Sequence, residues 1–128
     1  MFVSAGSRAT RKRKTKAADL ISGILGAGVG MAVTPYPLGT ISSGTTTLSY
    51  ANGNQQYVTA NGAFTLAPQT TASQIVVEFL NGASAGSITT SGYTKVTGDA
   101  YATTNAAKFL FVSTKTQNYS HLNIIALQ

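Results

Sequence analysis

Catalysis near neutral pH needs side chains that carry protons, hold a metal or attack, and this chain offers few of them. It has one histidine, His121, three carboxylates, Asp19, Glu78 and Asp99, and no cysteine. Histidine is the side chain best suited to proton transfer near neutral pH, but a metal centre takes three or four donors and no others stand near His121 in sequence. A lone histidine of this kind reads as a half-buried structural residue. Serine and threonine are plentiful, yet no G-x-S-x-G elbow occurs. The run GAGVG (26–30) follows no strand and opens no βαβ unit, so it does not read as a dinucleotide loop. With no nucleophile–base or acid–base pair to assemble, the sequence predicts a non-enzymatic protein without catalytic, cofactor or metal sites.

The carboxylates have simpler readings. Glu78 lies in IVVEFL, where alternation turns it away from Val77 and Phe79, toward solvent or a neighbouring chain, with Lys95 or Lys108 as a cross-strand partner. Asp99, in TGDA, reads as a turn residue bonded to its own backbone. Asp19 suits the amide end of a short helix.

The positive charge is concentrated in one place. Six of the nine basic residues, Arg8, Arg11, Lys12, Arg13, Lys14 and Lys16, fall in SRATRKRKTK (7–16). Beyond Lys16, three lysines (Lys95, Lys108, Lys115) balance the three acids. A folded basic face for DNA needs Lys and Arg spread over the domain, so the net charge of +6 belongs to an arm. Docking on a neighbouring protein is its first reading and a solvated tail the second. Nucleic acid stays open as a partner through the arm: six phosphate contacts would give a log–log salt slope of about −5, but RKRK has no interleaved aromatics for stacking on bases. A membrane ranks last. LISGILGAGVGMAV (20–33) would cover about 21 Å as a helix, short of the ~30 Å hydrocarbon core, and its glycines weaken any isolated helix. It does not read as a secretory leader either.

Three zones follow. Residues 1–16 are the basic arm. Residues 17–43 form an apolar, Gly- and Pro-containing connector, in which Pro35 and Pro37 impose extended backbone around Tyr36. Its candidate anchors are Leu20, Ile21, Ile24, Leu25, Val33, Tyr36 and Leu38. Each such side chain laid in a groove contributes about 1.5–3 kcal/mol, so five or six hold firmly even after ordering costs.

Residues 44–128 are predicted to be an all-β domain of about seven or eight short strands. The runs are TTTLSYA (45–51), QQYVTA (55–60), AFTLAP (63–68), SQIVVEFL (73–80), GSITT (86–90), YTKVT (93–97), AKFLFVST (107–114) and YSHLNIIAL (119–127). Asn52-Gly53, Asn61-Gly62, Asn81-Gly82 and Ser91-Gly92 sit between them. Asn-Gly supplies the two positive φ angles of a type I′ hairpin turn, so the expected fold is an antiparallel β-sandwich or jelly-roll-like domain. The two ANG tripeptides, nine residues apart, span one strand and its turn rather than a solenoid repeat. Only 9% of the residues are charged, against about 25% in an ordinary domain, which suits a surface packed against neighbours.

The stretches SYANGNQQYVTANGAFTLAP and EFLNGASAGSITTSGYTKVTGDAYATTNAAKFLFVSTKTQNYSHLNIIALQ, within residues 44–128, resemble small β-domains of tailed-bacteriophage and prophage virion structural proteins of the decoration, spike and fibre types. The resemblance implies a non-enzymatic virion component and a homo-oligomer, a trimer being favoured. Its partners would be the major capsid protein or other virion proteins. A capsid decoration, cement or head-spike protein anchored through its N-terminal arm is the expected function. The alternative is a tail or fibre adhesin that binds a host glycan through Tyr50, Tyr57, Tyr93, Tyr101 and Tyr119.

Overall fold

In the computed structural model, residues 32–128 are described. The fold is all-β, with a single 3-10 turn at Tyr50–Asn52 as its helical element among these residues. Among the described residues nine strands form two sheets: β1 (Tyr36–Ile41), β2 (Thr45–Thr47), β3 (Gln55–Ala60), β4 (Phe64–Ala67), β5 (Ser73–Asn81), β6 (Ile88–Thr89), β7 (Lys95–Gly98), β8 (Lys108–Lys115) and β9 (Ser120–Leu127). The larger sheet has the order β1-β3-β5-β8-β9-β7 and the smaller β2-β4-β6.

The pairing departs from the antiparallel expectation. Only β5–β8 and β8–β9 are antiparallel, whereas β1–β3, β3–β5, β2–β4, β4–β6 and β7–β9 are parallel. From β1 to β6 the chain alternates between the sheets, so each strand lies beside the one that came a full circuit earlier. Tyr36 aligns with Gln56, Gln55 with Val76, and Thr45 with Thr65, a circuit of about twenty residues. The Asn-Gly pairs stand at corners between the sheets and close no hairpins. A type I′ turn needs positive φ at both central residues, but Ala106 is the single non-glycine residue with positive φ among those described, and of these Asn-Gly glycines only Gly53 has it.

Gly62 shows what glycine does at such a corner. A Cβ built on it would run into the backbone carbonyl of Ser42, one circuit earlier in the chain. There the Asn61 amide donates to the Ile41 carbonyl at 2.8 Å and locks the two corners together. Gly62→Ala is therefore expected to lower stability by about 1–3 kcal/mol, as overpacking of a closed contact does. Urea unfolding would check this, and an unchanged midpoint would mean the corner yields freely.

The residue range of the domain also shifts. Residues 36–41, assigned from sequence to the connector, form β1 at the edge of the larger sheet. A register break between Pro37 and Thr40 hides the strand's alternation, because Leu38 and Ile41, three apart, both pack on the core. An edge strand can accept Pro37, which has no N–H to donate to a ladder. Residues 33–128 make one compact unit.

The two sheets share one core. Phe64 and Leu66 of β4, with Leu48 just past β2, meet Val58, Ile75, Val77, Phe79, Phe109, Phe111, Leu122 and Ile124 of the larger sheet. Phe79 is the hinge of this packing: its ring stacks on Phe111 with centroids 4.0 Å apart and lies 6.2 Å from Phe64, nearly parallel to both.

Most buried polar side chains are satisfied, several of them in two networks, whereas Gln56 donates through Nε2 to the carbonyls of Ser49 and Gly53 but its buried Oε1 has no partner among the described residues. Ser113 Oγ donates to Gln69 Oε1 at 2.7 Å, which leaves it to accept from the Tyr93 hydroxyl at 2.9 Å. Gln69 Nε2 donates to the carbonyls of Ser73 and Ser113. At the end of β5, buried Asn81 accepts from the Tyr101 hydroxyl at 2.7 Å and donates to the carbonyls of Ala102 and Thr104, pinning the segment between β7 and β8.

Candidate functional site

Alternation places one face of the larger sheet on the core, and the opposite face decides what the domain can meet. Cross-strand partners give that outer face its rows. One row runs Gln55, Val76, Val112, Asn123 and Thr97. The next runs Pro37, Tyr57, Glu78, Leu110 and Ile125, and a third Thr59, Leu80, Lys108 and Leu127. Val76, Leu110 and Val112 are half-buried by their neighbours, while Tyr57, Leu80, Ile125 and Leu127 are each at least 36% exposed. The result is a contiguous apolar surface on a sheet face, with one acid and one base in it.

Glu78 faces outward, as its parity requires. Its direct cross-strand neighbours are Tyr57 and Leu110, and Lys108, opposite Leu80, stands diagonal to it. Lys95 lies on the far edge, opposite His121. Glu78 is thus not in cross-strand register with either lysine.

At that edge a small polar cluster forms. Thr97 Oγ1 donates to Asn123 Oδ1 at 3.1 Å, so it accepts from His121 Nε2 at 2.7 Å, and this nitrogen is assigned the proton. His121 here braces β7 against β9. Asp99 does not cap its own turn: its carboxylate accepts from the Ala126 amide at 2.8 Å, while its own amide donates to the Ile124 carbonyl at 2.7 Å, extending the β7–β9 register. No group of three His, Cys, Asp or Glu side chains gathers at metal-binding distance and no pocket opens among the described residues.

The other candidates divide as follows. Leu38 packs on the core of its own domain, and Val33 and Tyr36 are exposed. Leu20, Ile21, Ile24 and Leu25, with the arm residues Arg8, Arg11, Lys12, Arg13, Lys14 and Lys16, lie outside the described residues. Among the tyrosines proposed for sugar binding, Tyr93 is buried and Tyr101 half-buried against Phe109, whereas Tyr50, Tyr57 and Tyr119 are exposed. No helix among the described residues is long and apolar enough to cross a membrane.

The outer apolar face was not anticipated, although the sequence carries its signal. In IVVEFL and KFLFV both parities are apolar: Ile75, Val77, Phe79, Phe109 and Phe111 point inward, and Val76, Leu80, Leu110 and Val112 point outward. Strands apolar on both sides are those covered on both sides.

Comparison with known protein families, curated proteins and solved structures finds no match to this chain.

Proposed function

We propose that the chain is a non-enzymatic structural protein of a bacteriophage virion, a capsid decoration, cement or head-spike component. In this reading a sandwich-type β-domain is the body, the basic N-terminal arm anchors it, and the major capsid protein or another virion protein receives it. The observation that carries the proposal is the outer face of the larger sheet. Tyr57, Leu80, Ile125 and Leu127 are exposed together on it, beside half-buried Val76, Leu110 and Val112, and apolar residues gathered on one open sheet face suit a surface that another protein covers. The shortage of charge supports the same reading, since each Lys or Glu buried in a contact costs desolvation.

The test is quantitative mass spectrometry of purified particles from the source, expressed as copies per major capsid subunit. Hundreds of copies per particle support a decoration or cement protein. A few to a few dozen place it at a vertex, fibre or tail. Absence from particles overturns the proposal.

A second reading, a tail or fibre adhesin for a host-surface glycan, draws on the exposed rings of Tyr50, Tyr57 and Tyr119. Aromatic faces at the surface suit sugar stacking. Glycan-array binding that disappears in Tyr50→Ala or Tyr57→Ala would favour it.

A further inference from the structure

We infer that the outer face of the larger sheet is the seat of a second copy of this chain, in a two-fold contact of like face on like face. The inference rests on the reading of the chain as an assembling component and names the surface through which copies assemble. A two-fold contact uses one patch twice, so the patch has to complement itself. This face meets that condition. Its apolar residues Leu80, Leu110 and Ile125 can pack on their own counterparts, Leu127 adds apolar surface further out, and its charges are one acid and one base placed diagonally, Glu78 on β5 and Lys108 on β8. A two-fold axis lying in the face and passing between them sets each Glu78 over Lys108 of the partner subunit. Leu80 and Leu110, the other corners of the same four-residue cell, lie beside that axis and form its apolar centre.

A partner of uniform charge would leave either Glu78 or Lys108 facing a like charge, and a wholly apolar partner would leave both desolvated without an opposite. A second copy supplies the opposite to each. The size is adequate. Strands β3, β5, β8 and β9 at ~4.8 Å spacing and ~3.3 Å rise define a face of roughly 20 by 26 Å. Covering it on both copies removes about 1,000 Å² from water, where specific contacts begin.

The experiment uses the full chain and sedimentation velocity over a concentration series of about 1 to 200 μM, with circular dichroism to confirm that each variant folds. The wild-type chain is expected to pass reversibly from monomer to dimer within this range. Glu78→Lys alone and Lys108→Glu alone each place like charges across both halves of the contact, and each is expected to weaken self-association at least about tenfold. An equimolar mixture of the two single variants restores both opposite-charge contacts and is expected to form heterodimers as tightly as wild type. Rescue by mixing cannot come from pairing within one chain. Leu110→Asp, at the centre, should abolish association.

A wild-type chain that stays monomeric to 200 μM overturns the inference. So does a dimer indifferent to all three substitutions, or two single variants that fail to rescue each other. A monomer that is nonetheless found on particles leaves the virion reading standing and assigns the face to a different virion protein. A dimer absent from particles does the reverse.

Discussion

Phe79→Ala is expected to cost about 3–5 kcal/mol, the range for truncating a fully buried aromatic. The position makes the upper half of that range the better expectation. Phe79 is inaccessible to solvent and sandwiched between Phe64 of β4 and Phe111 of β8, so one ring joins the smaller sheet to the centre of the larger one. Truncation removes the transfer energy of the ring and opens a void that neither flanking phenylalanine can fill without leaving its own strand position. A domain of this size has about 5–15 kcal/mol in all, so the variant should lose more than about 10 °C in Tm. Phe79→Leu keeps most of the volume and should lose much less, because volume-conserving changes are tolerated best. Thermal unfolding of the three proteins decides it. Equal melting of Phe79→Ala and wild type would show that the sheets are held together elsewhere.

The same residue illustrates what was legible in the sequence. Strand positions were, because alternation is a local signal: QQYVTA is β3 from end to end, and SQIVVEFL, AKFLFVST and YSHLNIIAL fall within a residue of β5, β8 and β9 at either end. The choice of partner strand was not. Asn52-Gly53 and Asn61-Gly62 have the composition of hairpin turns, but what Gly62 answers to is the backbone of Ser42 packed against it, a contact between residues twenty apart. β1 was missed for a related reason. Its register break puts Leu38 and Ile41 on one side, so the period of two fails where the strand actually lies. The candidate site was legible only in part. Parity put Glu78 outside, yet the apolar face around it needed the pairing of β5 with β8 and β9 before Leu80, Leu110, Ile125 and Leu127 became one surface. The tyrosines divide similarly, since parity within one run cannot tell that Tyr101, outside any strand, lies over Phe109.

The second large effect is a loss of stability at alkaline pH that runs through Tyr93. Burial pushes its phenol up to about 12, against an ordinary 10, and the Ser113 hydrogen bond offsets only part of that. Because the folded value lies above the unfolded one, the unfolded chain releases the proton first as pH rises. Tyr93 therefore contributes fully below pH 10, and its contribution disappears between pH 10 and about 12. Two pH units correspond to roughly 3 kcal/mol. The geometry gives the reason: the hydroxyl donates to Ser113, whose own proton is committed to Gln69, so an ionised Tyr93 has no donor role left in the chain of bonds. Tyr101, raised in the same direction by burial while its bond to Asn81 opposes the shift, adds a decline of the same sign. Tyr93→Phe separates the two. It should be about 1 kcal/mol less stable than wild type at pH 8, from the lost hydrogen bond, and then fall much less steeply between pH 10 and 12. Urea midpoints measured at half-unit steps across that window are the test. Parallel decline of the two proteins would place the alkaline sensitivity outside the Tyr93–Ser113–Gln69 network, whereas a crossing of the curves between pH 10 and 12, leaving Tyr93→Phe the more stable of the two at pH 12, would assign it there.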